Sequence, residues 1–124
     1  MKKQILVIDD EAAIQRVIQL TLSITAGWEV MSAKSGWEGV EKASLNQPDA
    51  ILLDLMMPEL NGIATLEKLR AQDSTKEIPV IIMSGKTNLT QEKPLSMLEV
   101  AGIIAKPFDP LSLANQISNA LAWS

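Results

Sequence analysis

Three aspartates, a serine and a lysine stand where short apolar runs of the chain end. Asp9 and Asp10 follow Ile5-Leu6-Val7-Ile8, Asp54 follows Ala50-Ile51-Leu52-Leu53, Ser84 follows Val80-Ile81-Ile82-Met83, and Lys106 follows Gly102-Ile103-Ile104-Ala105. If the runs are neighbouring strands, their polar ends share one edge, and three carboxylates gathered there repel one another. Lys106 supplies one compensating charge, and a divalent cation can supply the rest. Carboxylate oxygens with several retained waters suit Mg²⁺, which takes octahedral oxygen ligands and is rarely given a full protein cage; Mn²⁺ is the alternative. Such a site can position a phosphoryl group, neutralise its oxygens and leave one carboxylate to attack, because phosphoryl transfer needs mainly positioning and charge stabilisation. Aspartates after a strand also serve as caps and turn residues, and each short motif is weak alone. Coincidence at four strand ends is what favours chemistry over turns.

Composition narrows the chemistry further. The 124 residues include no histidine and no cysteine. This excludes serine–histidine and cysteine–histidine nucleophiles, histidine- or cysteine-ligated metals, disulfides and a phosphohistidine role. The formal net charge of −4 recommends neither nucleic acid nor an anionic membrane as a partner. The apolar run after Met1-Lys2-Lys3 is far too short for a membrane span, and with no disulfides a cytoplasmic location is the default expectation. Hydrophobic residues make up 47%, enough for the core of one domain. A single domain over 1–124, with no output domain after the last helix, is expected.

The elements that must position these residues can be read from periodicity. The four runs are near-continuous rather than alternating, as expected of strands buried on both faces, and Trp28 to Ala33 reads as a strand nearer an edge. Between them, Ile14, Val17, Ile18, Thr21 and Leu22 form a helical stripe, as do Ile63, Leu66 and Leu69, and Leu113, Ala114, Ile117 and Leu121. Trp37, Val40 and Ala43 predict a helix after Ser35, with Glu38 placed for a capping box. Pro94 suits a first helical position, which predicts a short fourth helix over Leu95 to Ala101 after a polar loop from Gly85 to Lys93. Gly27, Gly62 and Pro79 fall at joints. Strand–helix alternation repeated five times predicts a parallel sheet with helices on both faces and right-handed crossovers. Ligands of such sheets bind beyond the C-terminal strand ends, where the polar residues fall.

Ile8-Asp9-Asp10-Glu11, Leu53-Asp54-Leu55-Met56-Met57-Pro58, Asn61-Gly62, Met83-Ser84-Gly85 and Lys106-Pro107-Phe108, in this order and at these separations, resemble the response-regulator receiver domain (CheY-like superfamily, stand-alone type) over essentially the whole chain. The resemblance implies a flavodoxin-like doubly wound (βα)5 three-layer sandwich with a five-stranded parallel sheet in order 2-1-3-4-5. It implies that Asp54 is the phosphoacceptor, that Asp10 and Asp54 ligate Mg²⁺ directly, that Asp9 does so mainly through water, and that the Met56 backbone carbonyl is the remaining protein ligand. Lys106 matches the lysine that pairs with the carboxylate and then the phosphoryl oxygens, and Ser84 the switch hydroxyl. The Lys106-Pro107 bond matches one usually cis in the family. Implied partners are a sensor histidine kinase and a downstream protein target or histidine phosphotransfer protein; the implied state is a monomer or weak homodimer. The readout surface would be the fourth helix, fifth strand and fifth helix.

The chain departs from the family pattern at several positions. Ile103 stands where many receivers carry an aromatic that turns inward with the switch hydroxyl. Met56 and Lys86 occupy positions that tune phosphoryl lifetime, and an apolar Met56 has no side chain to hold an attacking water, which predicts slow self-dephosphorylation. Glu99 stands where a glycine commonly ends the fourth helix. A non-phosphorylated pseudo-receiver acting as an interaction module is the chief rival, opposed by the complete set Asp9, Asp10, Asp54, Ser84 and Lys106. A phosphohydrolase of the haloacid dehalogenase type needs a second aspartate where Met56 stands, and a dinucleotide-binding module needs a glycine-rich loop after the first strand. Trp28, Trp37 and Trp123 read as packing residues rather than a partner surface, and the six methionines as filling.

Overall fold

The structure, a computed structural model, describes residues 3–55, 62–84, 100–105 and 108–123, and for Ser84 the backbone alone. Five strands are present: β1 (Gln4–Ile8), β2 (Glu29–Ala33), β3 (Ala50–Asp54), β4 (Val80–Ser84) and β5 (Gly102–Ala105). Four helices are seen among the described residues: α1 (Ala12–Ala26), α2 (Gly36–Asn46), α3 (Gly62–Ala71) and α4 (Leu113–Leu121), the last preceded by a 3-10 turn over Pro110–Ser112. All strand pairings are parallel and the order is β2-β1-β3-β4-β5, the flavodoxin-like arrangement.

Alternation along each strand divides the core into two layers, because successive side chains point to opposite faces. Ile5 and Val7 of β1, Ala50 and Leu52 of β3, and Ile81 and Met83 of β4 pack with Ile18 and Leu22 of α1 and Leu113 and Ile117 of α4. Leu6, Ile8, Ile51, Leu53, Val80 and Ile82 face the other way, against Val40 and Ala43 of α2 and Leu66 and Leu69 of α3. Both faces of the central strands are therefore covered, which is why their sequences are apolar at consecutive positions. Each fully buried Leu or Ile contributes roughly 1.5–3 kcal/mol of hydrophobic stabilisation. The Trp28–Ala33 run is realised as the edge strand β2, with Glu29 exposed and its next three residues half-buried.

The helices begin and end for local reasons. Gly27 adopts a left-handed φ of 69° and closes α1, its N–H donating to the Ser23 carbonyl while Trp28 donates to Leu22. This double closure is the Schellman pattern, and glycine tolerates its conformation without a Cβ penalty. Ser35 caps α2, its hydroxyl accepting from the Glu38 N–H at 3.2 Å. The Glu38 carboxylate folds back to accept the Lys34 N–H at 2.6 Å, one residue before the position a standard capping box uses. Lys42, one turn on, pairs with Glu38 at 3.3 Å and donates to the Ser32 carbonyl at 2.6 Å, tying α2 to β2.

Some expected details differ. On α1 the buried line is Gln15, Ile18 and Leu22, so Val17 is turned outward and is 41% exposed. Trp37, read as part of the buried stripe of α2, is 57% exposed and lies beneath the Lys68 ammonium of α3, 4.6 Å from its ring centre. Only Val40 and Ala43 of that trio reach the core, because Gly39 lies so close to Ile8 that the helix seats on its small residues. Trp28 and Trp123 do pack, edge to face at 5.3 Å, with Lys3 above the Trp123 ring. The predicted loop over 85–93 and most of the predicted helix over 95–101 lie outside the described residues. Its last two positions, Val100 and Ala101, are not helical; Ala101 already donates to the Val80 carbonyl and leads into β5. Among the described residues no helix is long and apolar enough to cross a membrane.

The Ser35–Glu38 cap carries a testable stability term. The backbone N–H of Lys34, and then Lys42, hold the Glu38 carboxyl below its ordinary value of 4.5. A carboxylate with a lowered folded pKa contributes stability above its unfolded value and loses it as the pH falls through the folded one. Urea melts of Ser35→Ala should show a loss of about 1 kcal/mol. Glu38→Gln should flatten the fall in stability below pH 4.5, and an unchanged acid limb in that variant would refute the assignment.

Candidate functional site

The acidic cluster arises from strand register. Ile8 is paired with Leu53 and Asp54 with Met83, so the next residue of β1, Asp9, emerges beside Asp54. Asp9 continues the ladder for one step, its N–H donating to the Ala33 carbonyl at 3.0 Å. There the chain turns: the Glu11 N–H donates to Asp9 Oδ1 at 2.9 Å, a local side-chain turn that leads from the strand into α1. The turn leaves Asp10 between Asp9 and the helix. One carboxylate oxygen from each of Asp9, Asp10 and Asp54 lies within 4.8 Å of the others. Asp9 and Asp54 are buried, at 0% and 2% exposure, and Asp10 is exposed. The arrangement thus has an acidic floor of two buried carboxylates and an open rim.

Two oxygens on opposite sides of an octahedral Mg²⁺ stand about 4.2 Å apart, since Mg–O bonds are about 2.1 Å. The three oxygens lie within 4.8 Å of one another, a little wider than that span, as suits a set in which one ligand acts through water. The donors are all oxygen. The residues therefore fit a small hard cation.

Among the residues singled out from sequence, the structure brings Asp9, Asp10 and Asp54 together. It places the Ser84 backbone at the end of β4, paired with Ala105 of β5, so Lys106 follows directly on the strand beside it. Lys106, Pro107, Met56 to Asn61, Lys86 and Glu99 lie outside the described residues, as does the Ser84 side chain. Ile103, at the position of the usual aromatic, is 37% exposed on β5. Gly62 opens α3 directly against the site: its N–H donates to the Leu55 carbonyl at 3.1 Å, and an added Cβ would meet the Leu55 Cα and lie 2.7 Å from the Asp54 carbonyl oxygen. Glycine is required here by close approach rather than by backbone angle.

Sequence reading missed Gln15. Its side chain is 7% exposed, and Nε2 donates to the carbonyls of Asp9 at 2.6 Å and Ala33 at 2.7 Å. The signal was available in outline, since Gln15, Ile18 and Leu22 share the spacing of a buried helix face. A glutamine on that line must find buried partners.

The comparisons agree with this geometry. The family model described as "Response regulator receiver domain" matches residues 5–118, and the chain belongs to that family, whose members are the signalling phosphoacceptor domains of two-component systems. Helicobacter pylori chemotaxis protein CheY1 is 33% identical over 119 residues, covering 95% of this chain and 96% of that protein. The alkaline phosphatase synthesis transcriptional regulatory protein PhoP of Bacillus subtilis is 36% identical over 125 residues, covering 100% of this chain but 50% of PhoP. The probable transcriptional regulator ycf27 of Porphyridium aerugineum is 35% identical, with 97% and 48% covered. The chain thus spans about half the length of these two regulators. Among solved structures, Vibrio cholerae chemotaxis protein CheY4 superposes with a TM-score of 0.89 at 27% identity, covering 97% of this chain and 99% of that one.

Mutual repulsion among the three carboxylates should be measurable without any cation. Asp10→Asn removes the exposed member while leaving the buried pair in place. Asp10 is exposed, so its repulsion with each neighbour is screened nearly as in bulk water, and its removal should stabilise the protein in EDTA by about 1–2 kcal/mol. A lower urea midpoint for this variant would show that Asp10 is held by favourable contacts instead.

Proposed function

We propose that this receiver domain accepts a phosphoryl group on Asp54 from the phosphohistidine of a sensor kinase, in a Mg²⁺-dependent reaction. The observation that carries this reading is the convergence of three carboxylates, two of them buried, at the C-terminal edge of the sheet. A structural role alone would not gather like charges in a buried place, where each carboxylate is costly unless paired. In the reaction, a carboxylate oxygen of Asp54 forms the new O–P bond as the donor's P–N bond breaks, giving an acyl phosphate. Asp10 and Asp54, with Asp9 through water and the Met56 backbone carbonyl, would hold the cation; when bound, it supplies charge neutralisation for the phosphoryl oxygens. Lys106 would pair with those oxygens from the end of β5, and the Ser84 hydroxyl would hydrogen-bond them after transfer.

The conformational consequence follows from charge and size. An aspartyl phosphate carries three strong acceptor oxygens in place of a carboxylate. Attraction of Ser84 and Lys106 towards them would bias a two-state equilibrium of the segments after β4 and β5. Ile103 gives an aliphatic reporter of this change. The altered surface would be read by a separate protein, either a target or a histidine phosphotransfer protein, and the domain would serve as a signalling acceptor that assists its own phosphorylation and dephosphorylation. A soluble, cytoplasmic setting accords with that chemistry.

Intact-mass spectrometry after incubation with acetyl phosphate and Mg²⁺ tests the acceptor. The wild type should gain one phosphoryl group, and Asp54→Asn should gain none. Absence of any gain, under conditions that modify a standard receiver, would leave a non-phosphorylated interaction module instead. Following the mass after removal of acetyl phosphate tests the apolar position two residues beyond the acceptor. Decay should be slow with Met56 and faster, by about tenfold or more, in Met56→Glu, which can orient a water; equal decay would contradict the role given to this position.

A further inference from the structure

We infer that Gln15 is a positioning residue for the cation site, holding the Asp9–Asp10 peptide in the orientation that brings both carboxylates to Asp54. The inference rests on the phosphoacceptor reading and assigns to it a residue outside the acidic cluster. The carbonyl of Asp9 belongs to the peptide unit that also contains the Asp10 nitrogen, and that unit is planar. Fixing the direction of the carbonyl therefore fixes where the Asp10 backbone begins. Gln15 Nε2 makes that connection from below, at 2.6 Å, from a side chain only 7% exposed.

The same nitrogen reaches the Ala33 carbonyl at 2.7 Å. Ala33 O also receives the Asp9 N–H at 3.0 Å. One amide group thus joins the ends of β1 and β2 to the first turn of α1, on the very residue where the chain leaves the sheet. Opposite it, Asp9 Oδ1 accepts the Glu11 N–H, so both sides of the turn are held. Repulsion from Asp9 and Asp54 pushes Asp10 outward. The two Gln15 bonds, with the Glu11 N–H on Asp9 Oδ1, are placed to resist a rotation of that peptide.

Residue type matters as much as reach. A glutamine amide carries two N–H donors and no charge, so it can satisfy two carbonyls without competing with a cation for the carboxylates. A lysine or arginine here would add positive charge behind the site, and a glutamate would set a carboxylate against two carbonyl oxygens. Residues that orient metal ligands from behind typically change metal affinity by about 10–100-fold when replaced.

The test compares wild type with Gln15→Met, which keeps length and apolar bulk but donates nothing, and Gln15→Asn, which keeps the amide but loses reach. Mn²⁺ binding is read by electron paramagnetic resonance of the free ion, and folding by urea melts in EDTA. Gln15→Met should weaken Mn²⁺ binding at least about tenfold. The Mg²⁺ concentration giving half-maximal phosphorylation by acetyl phosphate should rise by the same factor, with the rate at saturating Mg²⁺ within about twofold of wild type. Gln15→Asn should show the same displacement and serves where Gln15→Met folds poorly. Lower stability with unchanged Mn²⁺ affinity would reduce Gln15 to a structural staple and overturn the inference while leaving the acceptor reading intact. Failure of the wild type to bind Mn²⁺ would overturn both.

Discussion

Crowding of like charge at one edge of the sheet is the constraint on which the rest of this molecule depends. A parallel sheet sends the C-terminal ends of all its strands to the same side. With Ile8 level with Leu53, that geometry delivers Asp9 and Asp54 side by side, and the turn into α1 adds Asp10. Such a group is unfavourable in isolation, so its persistence needs a rigid support. Residues around it show the support. Asp9 remains in the ladder through Ala33, Glu11 binds its carboxylate, and Gln15 holds its carbonyl.

Rigidity comes from the two apolar layers beneath. Residues Ile5 to Ile8 and Ala50 to Leu53 are fully buried, and interiors of this density transmit displacement rather than absorb it. A shift of β3 against β1 would break packing on both faces at once. Glycines 39 and 62 bring α2 and α3 into close approach, the first against Ile8 and the second against the Asp54 carbonyl. At the opposite end of the sheet, Trp28, Trp123 and Lys3 pack together. Chemistry and anchoring thus occupy opposite ends of the same strands, as in other open α/β sheets.

The fold was largely legible in the chain because its buried strands are continuous apolar runs and its helices carry regular stripes. Legibility failed where two elements compete for one face. Trp37 and Val17 fit the apolar spacing, yet both are turned outward, since small residues such as Gly39 and Ala43 allow a closer seat than a bulky ring. Ala101, expected within a helix, is not helical because its N–H is taken by the Val80 carbonyl, a partner twenty-one residues away that no local propensity contains.

Residue types and their order determined the chemistry open to this protein: carboxylates, one hydroxyl and one lysine at successive strand ends, without histidine or cysteine. The carboxylates could be assigned to one edge because strand periodicity and parallel connection are local properties. The tertiary structure alone decided their spacing, the burial of Asp9 and Asp54 beside an exposed Asp10, and the demand for glycine at Gly62. It also revealed Gln15, whose meaning lies in two carbonyls on two different strands. Register and helix rotation set such distances, and both are outcomes of packing between segments far apart in the chain.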